Sequence, residues 1–322
     1  MKGEVYNQSL CIVLRAANLY YLEGKSQREI ADHLNISVPT VSRLLKRAKE
    51  EGVVSYVIPE PYRECLELEQ EIKERYGLEE AIIVPIAGEE QTEESVKKAV
   101  ALEGARYVQR VIKPEDILGI AWGGTMYYLI QYLNPCQKTE STFVTLHGSI
   151  TSCDSKLEVR SLVRRIAMAF GGKSYTLEPN GHQDDSGSLK ALMDKKNIKE
   201  VIDLFSKITF SVSGIGSFYP EPTSPLSRIP YLDHSEYEEL MDKGVYGDIM
   251  LRFIDENGKE CESDLVHRTL AIDMDTYRSI PRKLIVASGR QKTCTLRAAL
   301  KGKLADVLII DSELARSLMR AE

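Results

Sequence analysis

Apolar residues in the first fifty positions recur at the steps of an α-helix. Between Gln8 and Leu22, the residues Cys11, Ile12, Leu14, Leu19 and Leu22 define a first helical run, which Gly24 closes. Ser26-Gln27-Arg28-Glu29 then carries a capping box: the Ser26 hydroxyl can accept from the Glu29 amide while the Glu29 carboxylate reaches back to the Ser26 amide. Ile30, Ala31 and Leu34 form the apolar face of the helix that follows. Asn35 tolerates a left-handed backbone, so Asn35-Ile36-Ser37 predicts a tight turn, with Ser37 placed to cap a third helix. Pro39 falls in the first turn of that helix, where a missing amide donor costs little, and Val41, Leu44, Leu45 and Ala48 make an inward stripe. Thr40, Ser42, Arg43, Lys46 and Arg47 are left pointing outward.

Beyond Gly52 the pattern changes. The β-branched run Val53 to Ile58 predicts a short strand placed as a wing beside the helices, ended by Pro59 and Pro61. A charged helix from about Arg63 to Tyr76, with Leu68 and Ile72 four apart, reads either as a dimer-forming linker or as a packed surface helix. From Ala81 onward short apolar runs alternate with helical stretches: 81–85 with 93–109, 117–121 with 125–133, and 143–146 with 157–170. The alternation resumes with 208–212, with 283–287 followed by 293–300, and with 307–310 followed by 312–319. This is the pattern of a Rossmann-like α/β fold, an open and mainly parallel sheet with helices on both faces and a ligand crevice beyond the strand C-terminal ends. The expected organisation is residues 1–58 as a first domain, 59–78 as a linker helix and 79–322 as a larger second domain.

Several of these strand ends carry glycine or small residues, which let backbone amides and helix N-termini approach an anion. Trp122-Gly123-Gly124-Thr125 is the clearest: two glycines permit close approach and Thr125 adds a hydroxyl at a helix start. The plainer alternative is a glycine turn that serves packing alone. Similar rims occur at His147-Gly148-Ser149, Ser213-Gly214-Ile215-Gly216 and Ser288-Gly289-Arg290-Gln291-Lys292. Neither the G-x-G-x-x-G nucleotide fingerprint nor a Gly-Lys-Ser/Thr phosphate loop is completed, so no nicotinamide or ATP cofactor is expected.

Charge sharpens the picture of the N-terminal segment. The whole chain of 322 residues is acidic, at -6, but Lys25 to Lys49 holds six cations against two anions, a local +4 that leaves -10 elsewhere. Two short helices, a tight turn and a second helix whose outer face is hydroxyls and cations describe a helix-turn-helix. Such a face suits a DNA major groove, because hydroxyls bond base edges or phosphates, Arg43 can fork onto guanine O6 and N7, and lysines neutralise phosphates. The competing reading is a helical hairpin with a solvated basic face. The six cysteines (Cys11, Cys65, Cys136, Cys153, Cys261 and Cys294) form no C-x-x-C pair and meet no histidine at zinc-finger spacing, so reduced structural thiols and no metal site are expected. With no apolar run of about 18 residues and no signal-like N-terminus, a cytoplasmic protein without membrane contact is expected.

Gly24-Lys25-Ser26-Gln27-Arg28-Glu29-Ile30-Ala31 together with Thr40-Val41-Ser42-Arg43-Leu44-Leu45 resembles the SorC family of bacterial sugar-responsive regulators. The likeness continues through Leu118 to Thr125, Val212 to Gly216, Gly247-Asp248-Ile249 and the final Val286 to Ala315 segment, so it spans essentially the whole chain. It implies a sugar-phosphate-isomerase-like effector domain, homodimers or homotetramers, and binding to palindromic operator DNA that a phosphorylated sugar relieves or alters. The DNA-contacting residues would be Ser37, Pro39, Thr40, Ser42, Arg43, Lys46 and Arg47. By position, Gly123, Gly124 and Thr125 would cradle the effector phosphate, Asp248 would accept from sugar hydroxyls and Lys292 would bring positive charge. His147 and Gly148 fall at the same rim, with Glu158 and Arg160 as further candidates. His147 occupies the place where some relatives carry lysine or arginine; an imidazole cannot form the Schiff base that a lysine there makes with an aldehyde sugar.

Two other functions fit the same fold. A sugar-phosphate isomerase or aminosugar deaminase would need a general base, for which Asp248 and His147 are the available groups. A DNA-binding protein whose larger domain only oligomerises would leave the crevice without a ligand.

Overall fold

The computed structural model describes residues 9–86, 91–150, 154, 157–227 and 231–320. Cys153 lies outside the described residues. The chain divides into two compact units, Met1–Pro59 and Glu60–Glu322.

In the first unit, α1 (Leu10–Ala17) runs into a π-helical turn at Asn18–Leu22, closed by the Glu23 amide donating to the Asn18 carbonyl at 3.1 Å. A widened turn of this kind is a local departure from α geometry that the apolar pattern does not register. The inward face of α1 is Val13, Ala16 and Ala17, whereas Cys11, Leu14 and Leu22 are exposed, so the stripe lies about one position away from the one expected. α2 (Gln27–Leu34) starts with the capping box, Ser26 Oγ accepting from the Glu29 amide at 3.3 Å and the Ser26 amide donating to Glu29 Oε2 at 2.8 Å. Asn35 takes the left-handed conformation (φ 51°, ψ 48°), and α3 (Val38–Glu50) follows under a Ser37 cap. Ile30, Ala31, Val41, Leu44, Leu45 and Ala48 close the small core. Val53–Ile58 forms no strand, so the helix-turn-helix carries no wing in the described structure. Its β-branched residues find no partner strand, and Tyr56, Val57 and Ile58 stay exposed.

The second unit begins with α4 (Tyr62–Tyr76), which buries Cys65, Leu68 and Ile72. β1 (Glu80–Val84), α5 (Glu93–Val111), β2 (Ile117–Ile120) and α6 (Gly124–Gln131) follow. Then come β3 (Thr142–Thr145), α7 (Val159–Phe170), β4 (Lys173–Tyr175), α8 (Ser186–Met193), α9 (Lys196–Phe205) and β5 (Phe210–Ser213). An excursion through β6 (Gly216–Ser217), α10 (His234–Asp242), β7 (Gly247–Ile249), β8 (Arg252–Ile254), α11 (Asp264–Arg268) and α12 (Met274–Arg278) leads back to the sheet. β9 (Arg282–Ala287), α13 (Thr293–Lys301), β10 (Val307–Asp311) and α14 (Ser312–Arg320) complete the unit.

The main sheet has seven parallel strands in the order β1-β10-β9-β5-β2-β3-β4. Alternate residues of its strands enter two separate cores. Leu284, Val286, Val307 and Ile309 face α5, α6 and α7, while Ile285, Ala287, Leu308 and Ile310 face α4, α9, α13 and α14. A sheet apolar on both faces is the expected consequence of parallel strands covered by helices on each side. β2 and β5 are neighbours, yet the chain leaves β2 toward β3 and leaves β5 toward β9 on the opposite side. This is the topological switch point at which the helices diverge and a crevice opens.

The antiparallel sheet β6-β7-β8 did not emerge from the sequence pattern, because strands of two or three residues are too short to show a period. Its position is fixed by Arg252, whose buried guanidinium donates to the carbonyls of Ile272 (3.1 Å), Ala271 (2.9 Å) and Val266 (3.2 Å) and to Glu260 (3.1 Å). Among the described residues, no helix is long and apolar enough to cross a membrane.

Candidate functional site

Within the first unit the outer face of α3 carries Ser37, Pro39, Ser42, Arg43 and Lys46 exposed, with Arg47 half-buried. Thr40 is not among the exposed residues. It is 8% exposed, its amide donates to Ser37 Oγ at 3.3 Å, its hydroxyl shares a 2.8 Å hydrogen bond with that of Ser37, and Arg43 Nη2 reaches its Oγ1 at 3.5 Å. The outward position expected for Thr40 is therefore corrected: its hydroxyl is engaged by the Ser37 cap and lies within reach of Arg43. Arg47 is tied to Glu51 at 2.6 Å and Lys46 leans toward Glu50 at 3.6 Å, surface pairs of a kind that contributes little to stability.

In the second unit a cavity of about 560 Å³ opens at the carboxyl ends of the strands around the switch point. β2 delivers Ala121 to Thr125 to its wall. Gly123 sits at φ 120°, ψ 167°, a region that only glycine occupies without strain, and this lets the chain turn sharply into α6. The first amides of α6 have no intrahelical acceptors, so this wall is electropositive. β5 adds Gly214, Ile215 and Gly216; β9 adds Ser288 to Lys292; and β10 adds Asp311 and Glu313. Asp311 is fully buried and locks two of these loops together, accepting from the Gly289 amide at 2.7 Å and the Leu314 amide at 2.9 Å.

The small sheet brings in Asp248, 5% exposed, whose Oδ1 accepts from the Ser224 hydroxyl at 2.5 Å. A methyl group on Gly216 would lie 2.1 Å from that oxygen, so glycine is what leaves room for the carboxylate. Burial pushes the Asp248 carboxyl up to about 6, against the opposing pull of Ser224 and Lys292. Thr223 Oγ1, on the same wall, is buried without a hydrogen-bond partner among the described residues.

Lys292 faces the cavity from the β9 loop, and Lys97 of α5 lies beside the α6 N-terminus, its Nζ 3.8 Å from where a Cβ on Gly124 would sit. Burial, aided by the charge on Lys97, pushes the Lys292 ammonium down to about 8, although Asp248, Asp311 and Glu93 act in the opposite direction. Lys98 and Lys283 have carboxylates at 2.7 Å. Among the described residues, Lys97 and Lys292 have none within 4.0 Å. Two cations on one cavity wall, one of them beside a helix N-terminus, are chemistry suited to an anion.

Of the residues singled out from sequence for this rim, the cavity gathers Gly123, Gly124, Thr125, Asp248 and Lys292. His147 and Gly148 are not on its wall. The His147 ring is fully buried; its Nε2 accepts from the Trp122 amide at 3.2 Å and its Nδ1 donates to the Gly148 carbonyl at 2.7 Å. It supports the Trp122-Gly123 turn from behind. Gly148 is packed where a Cβ would come within 2.7 Å of the Pro179 carbonyl. Glu158 caps α7 by accepting from the Ser161 amide and pairs with Arg160, which also reaches Glu178; neither lines the cavity. Sequence reasoning missed Lys97, Thr223 and Ser224. Lys97 is one of two adjacent lysines on a charged helix, and only the fold distinguishes it from Lys98.

A helix-turn-helix unit ahead of an α/β unit with a polar strand-end cavity defines a class: a DNA-binding regulator with a ligand-sensing body. Residues 60–320 match a family model described as "putative sugar-binding domain", and residues 18–51 match one described as "Sigma-70, region 4". The chain is 33% identical to the deoxyribonucleoside regulator of Bacillus subtilis, over 95% of this chain and 96% of that protein. It is 30% identical to the sorbitol operon regulator of Klebsiella pneumoniae, over 96% and 98% of the two chains. The crystal structure of full-length SorC from Klebsiella pneumoniae superposes with a TM-score of 0.76 at 28% identity, covering 97% of this chain and 99% of that one. The chain belongs to the SorC family of bacterial sugar-responsive transcriptional regulators.

Burial holds the His147 imidazole down at about 4, from an ordinary 6.5, so the fold keeps the neutral ring. Its contribution is complete above pH 6.5 and is lost as pH falls toward 4, because the unfolded chain takes up the proton first; the loss amounts to at most about 3 kcal/mol. Urea unfolding between pH 7 and pH 4 is expected to show a shallower decline in His147→Asn than in the parent protein. Parallel declines in the two proteins would contradict the assignment.

Proposed function

We propose that this protein is a repressor of a carbohydrate-utilisation operon whose hold on palindromic operator DNA is altered by a phosphorylated sugar bound in the strand-end cavity. The pairing of Lys97, beside the α6 N-terminus, with Lys292 on the same cavity wall, neither with a carboxylate within 4.0 Å among the described residues, carries this reading. A phosphate monoester brings close to two negative charges at neutral pH and relieves both ammonium groups at once. Gly123, Gly124 and Thr125 supply the cradle, while Asp248, oriented by Ser224, and Thr223 accept from or donate to sugar hydroxyls.

On the DNA side, Arg43 reads guanine, Ser42 meets a base edge or phosphate, and Ser37, Lys46 and Arg47 neutralise or bond the backbone. Two or four copies present these helices to successive half-sites. Residues 1–58 are the DNA-reading part, 59–78 the connection, and 79–322 the sensing and oligomerising part, in a cytoplasmic protein. Relatives named sorbitol operon regulator and deoxyribonucleoside regulator support a carbohydrate operon as the target. We read the cavity as a sensor and not a catalytic site: of the two groups a general base would draw on, His147 is sealed behind the Trp122 turn.

Thermal shift and calorimetry with pentoses, hexoses and their monophosphates test the effector assignment. One monophosphate, at a hundred times its Kd, is expected to stabilise the protein by about 2.7 kcal/mol, while its parent sugar does not. Lys292→Met removes the effect. Affinity should peak between pH about 6 and about 8, since Asp248 loses its acceptor charge below that window and Lys292 its cation above it. Equal affinity for the unphosphorylated sugar, or a flat profile from pH 5 to 9, would contradict the reading.

A further inference from the structure

The outer face of α3 contains one apolar residue that no capping or core role accounts for. Val38, the first residue of the helix, is 41% exposed. Ser42 lies one turn beyond Val38 on the same ridge, and Pro39 and Arg43 form the adjacent ridge. The Arg43 guanidinium is drawn back toward this end of the helix by its contact with Thr40. In a helix-turn-helix the N-terminal residues of the second helix meet the base edges. An exposed β-branched side chain there, flanked by a guanine-reading arginine, has one complementary feature in the major groove: the thymine C5-methyl group.

We propose that Val38 is a specificity-determining residue that packs on a thymine methyl in each operator half-site, near the base pair that Arg43 reads. This rests on the DNA-binding reading above. The test begins with a duplex selected by the full-length protein from a random library; failure to select any sequence would count against DNA binding itself. Each thymine of the selected half-site is then replaced by deoxyuridine, which removes only the methyl. Fluorescence anisotropy at fixed salt should find one thymine whose demethylation weakens binding about fourfold per half-site, the effect of exposing one methyl-sized apolar group. In Val38→Ala that penalty should vanish, while thermal unfolding confirms the fold. Loss of the same magnitude in Val38→Ala, or no thymine sensitive to demethylation, overturns the proposal.

A second feature lies within the sensing unit. Glu313, on the cavity wall, is 3.3 Å from Arg316 Nη1 one turn along α14. The same guanidinium grips Glu64 of α4 with two bonds, Nε to Oε1 and Nη2 to Oε2, both at 2.7 Å. α4 is the first helix after the DNA-binding unit ends at Pro59. One arginine thus links a carboxylate beside the effector cavity to the helix nearest in sequence to the DNA-reading unit. The fork geometry makes the link directional, since guanidinium and carboxylate planes must stay matched.

The geometry points to Arg316 as a positioning residue that couples cavity occupancy to α4: an anion entering the cavity repels Glu313, and Arg316 redistributes between its two carboxylates. The expected signature is a change in coupling, not in either binding event. In Glu64→Gln and Arg316→Met, the effector-induced change in operator affinity should shrink by about threefold to tenfold, with each ligand's separate affinity within about twofold of the parent value. The charge-swapped pair Glu64→Arg with Arg316→Glu restores the α4 to α14 contact but opposes Glu313, so stability should return without the coupling. Undiminished coupling in the single variants, or its recovery in the swapped pair, overturns the proposal. A parent protein that binds DNA and a monophosphate independently would instead count against the regulatory reading.

Discussion

A parallel sheet covered on both faces leaves its carboxyl edge as the place where polar chemistry can gather, and the arrangement of this molecule follows from that constraint. Alternate strand residues are committed to one core or the other, as Val286 and Ala287 show within two positions. Ligand-facing groups therefore come from the loops beyond Ile120, Ser213, Ala287 and Asp311, at the point where the crossovers diverge. The short antiparallel sheet, anchored by Arg252, contributes Asp248, a second carboxylate beside the Asp311 that ends β10.

The electrostatics of the edge are set by two desolvated charges of opposite sign. Lys292 is desolvated, crowded by Lys97 and held down at about 8, while Asp248 is desolvated and held up at about 6. Each charge is less favourable than it would be in water, and the proposed effector, a dianion bearing hydroxyls, would offset both costs. His147 serves the site indirectly. It occupies an acceptor position behind the Trp122 amide, and its burial keeps it neutral.

Much of this was legible in the sequence because the signals were local. The Ser26-Glu29 box, the left-handed Asn35 and Pro39 under the Ser37 cap each depend on residues within four positions of one another, and the structure has each in place. The parallel sheet was legible because its strands are continuous apolar runs. What stayed hidden depends on distant partners. The Val53 to Ile58 run has strand composition but no strand to pair with. Thr40 has an outward-looking place in the pattern, yet its hydroxyl is drawn inward by Ser37. Lys97 becomes a site residue only because α5 packs beside α6, and His147 leaves the rim only because the Trp122 amide claims its ring.

In the proposed regulator one chain joins an operator-reading helix to a cavity for a phosphorylated sugar, so that each ligand changes the affinity for the other. The most direct measurement is fluorescence anisotropy of the protein's selected operator duplex at fixed salt, with and without a saturating sugar monophosphate. Operator affinity is expected to change by about tenfold or more, equivalent to about 1.4 kcal/mol of preference between the two states. An operator affinity that is identical with the cavity demonstrably filled would contradict it.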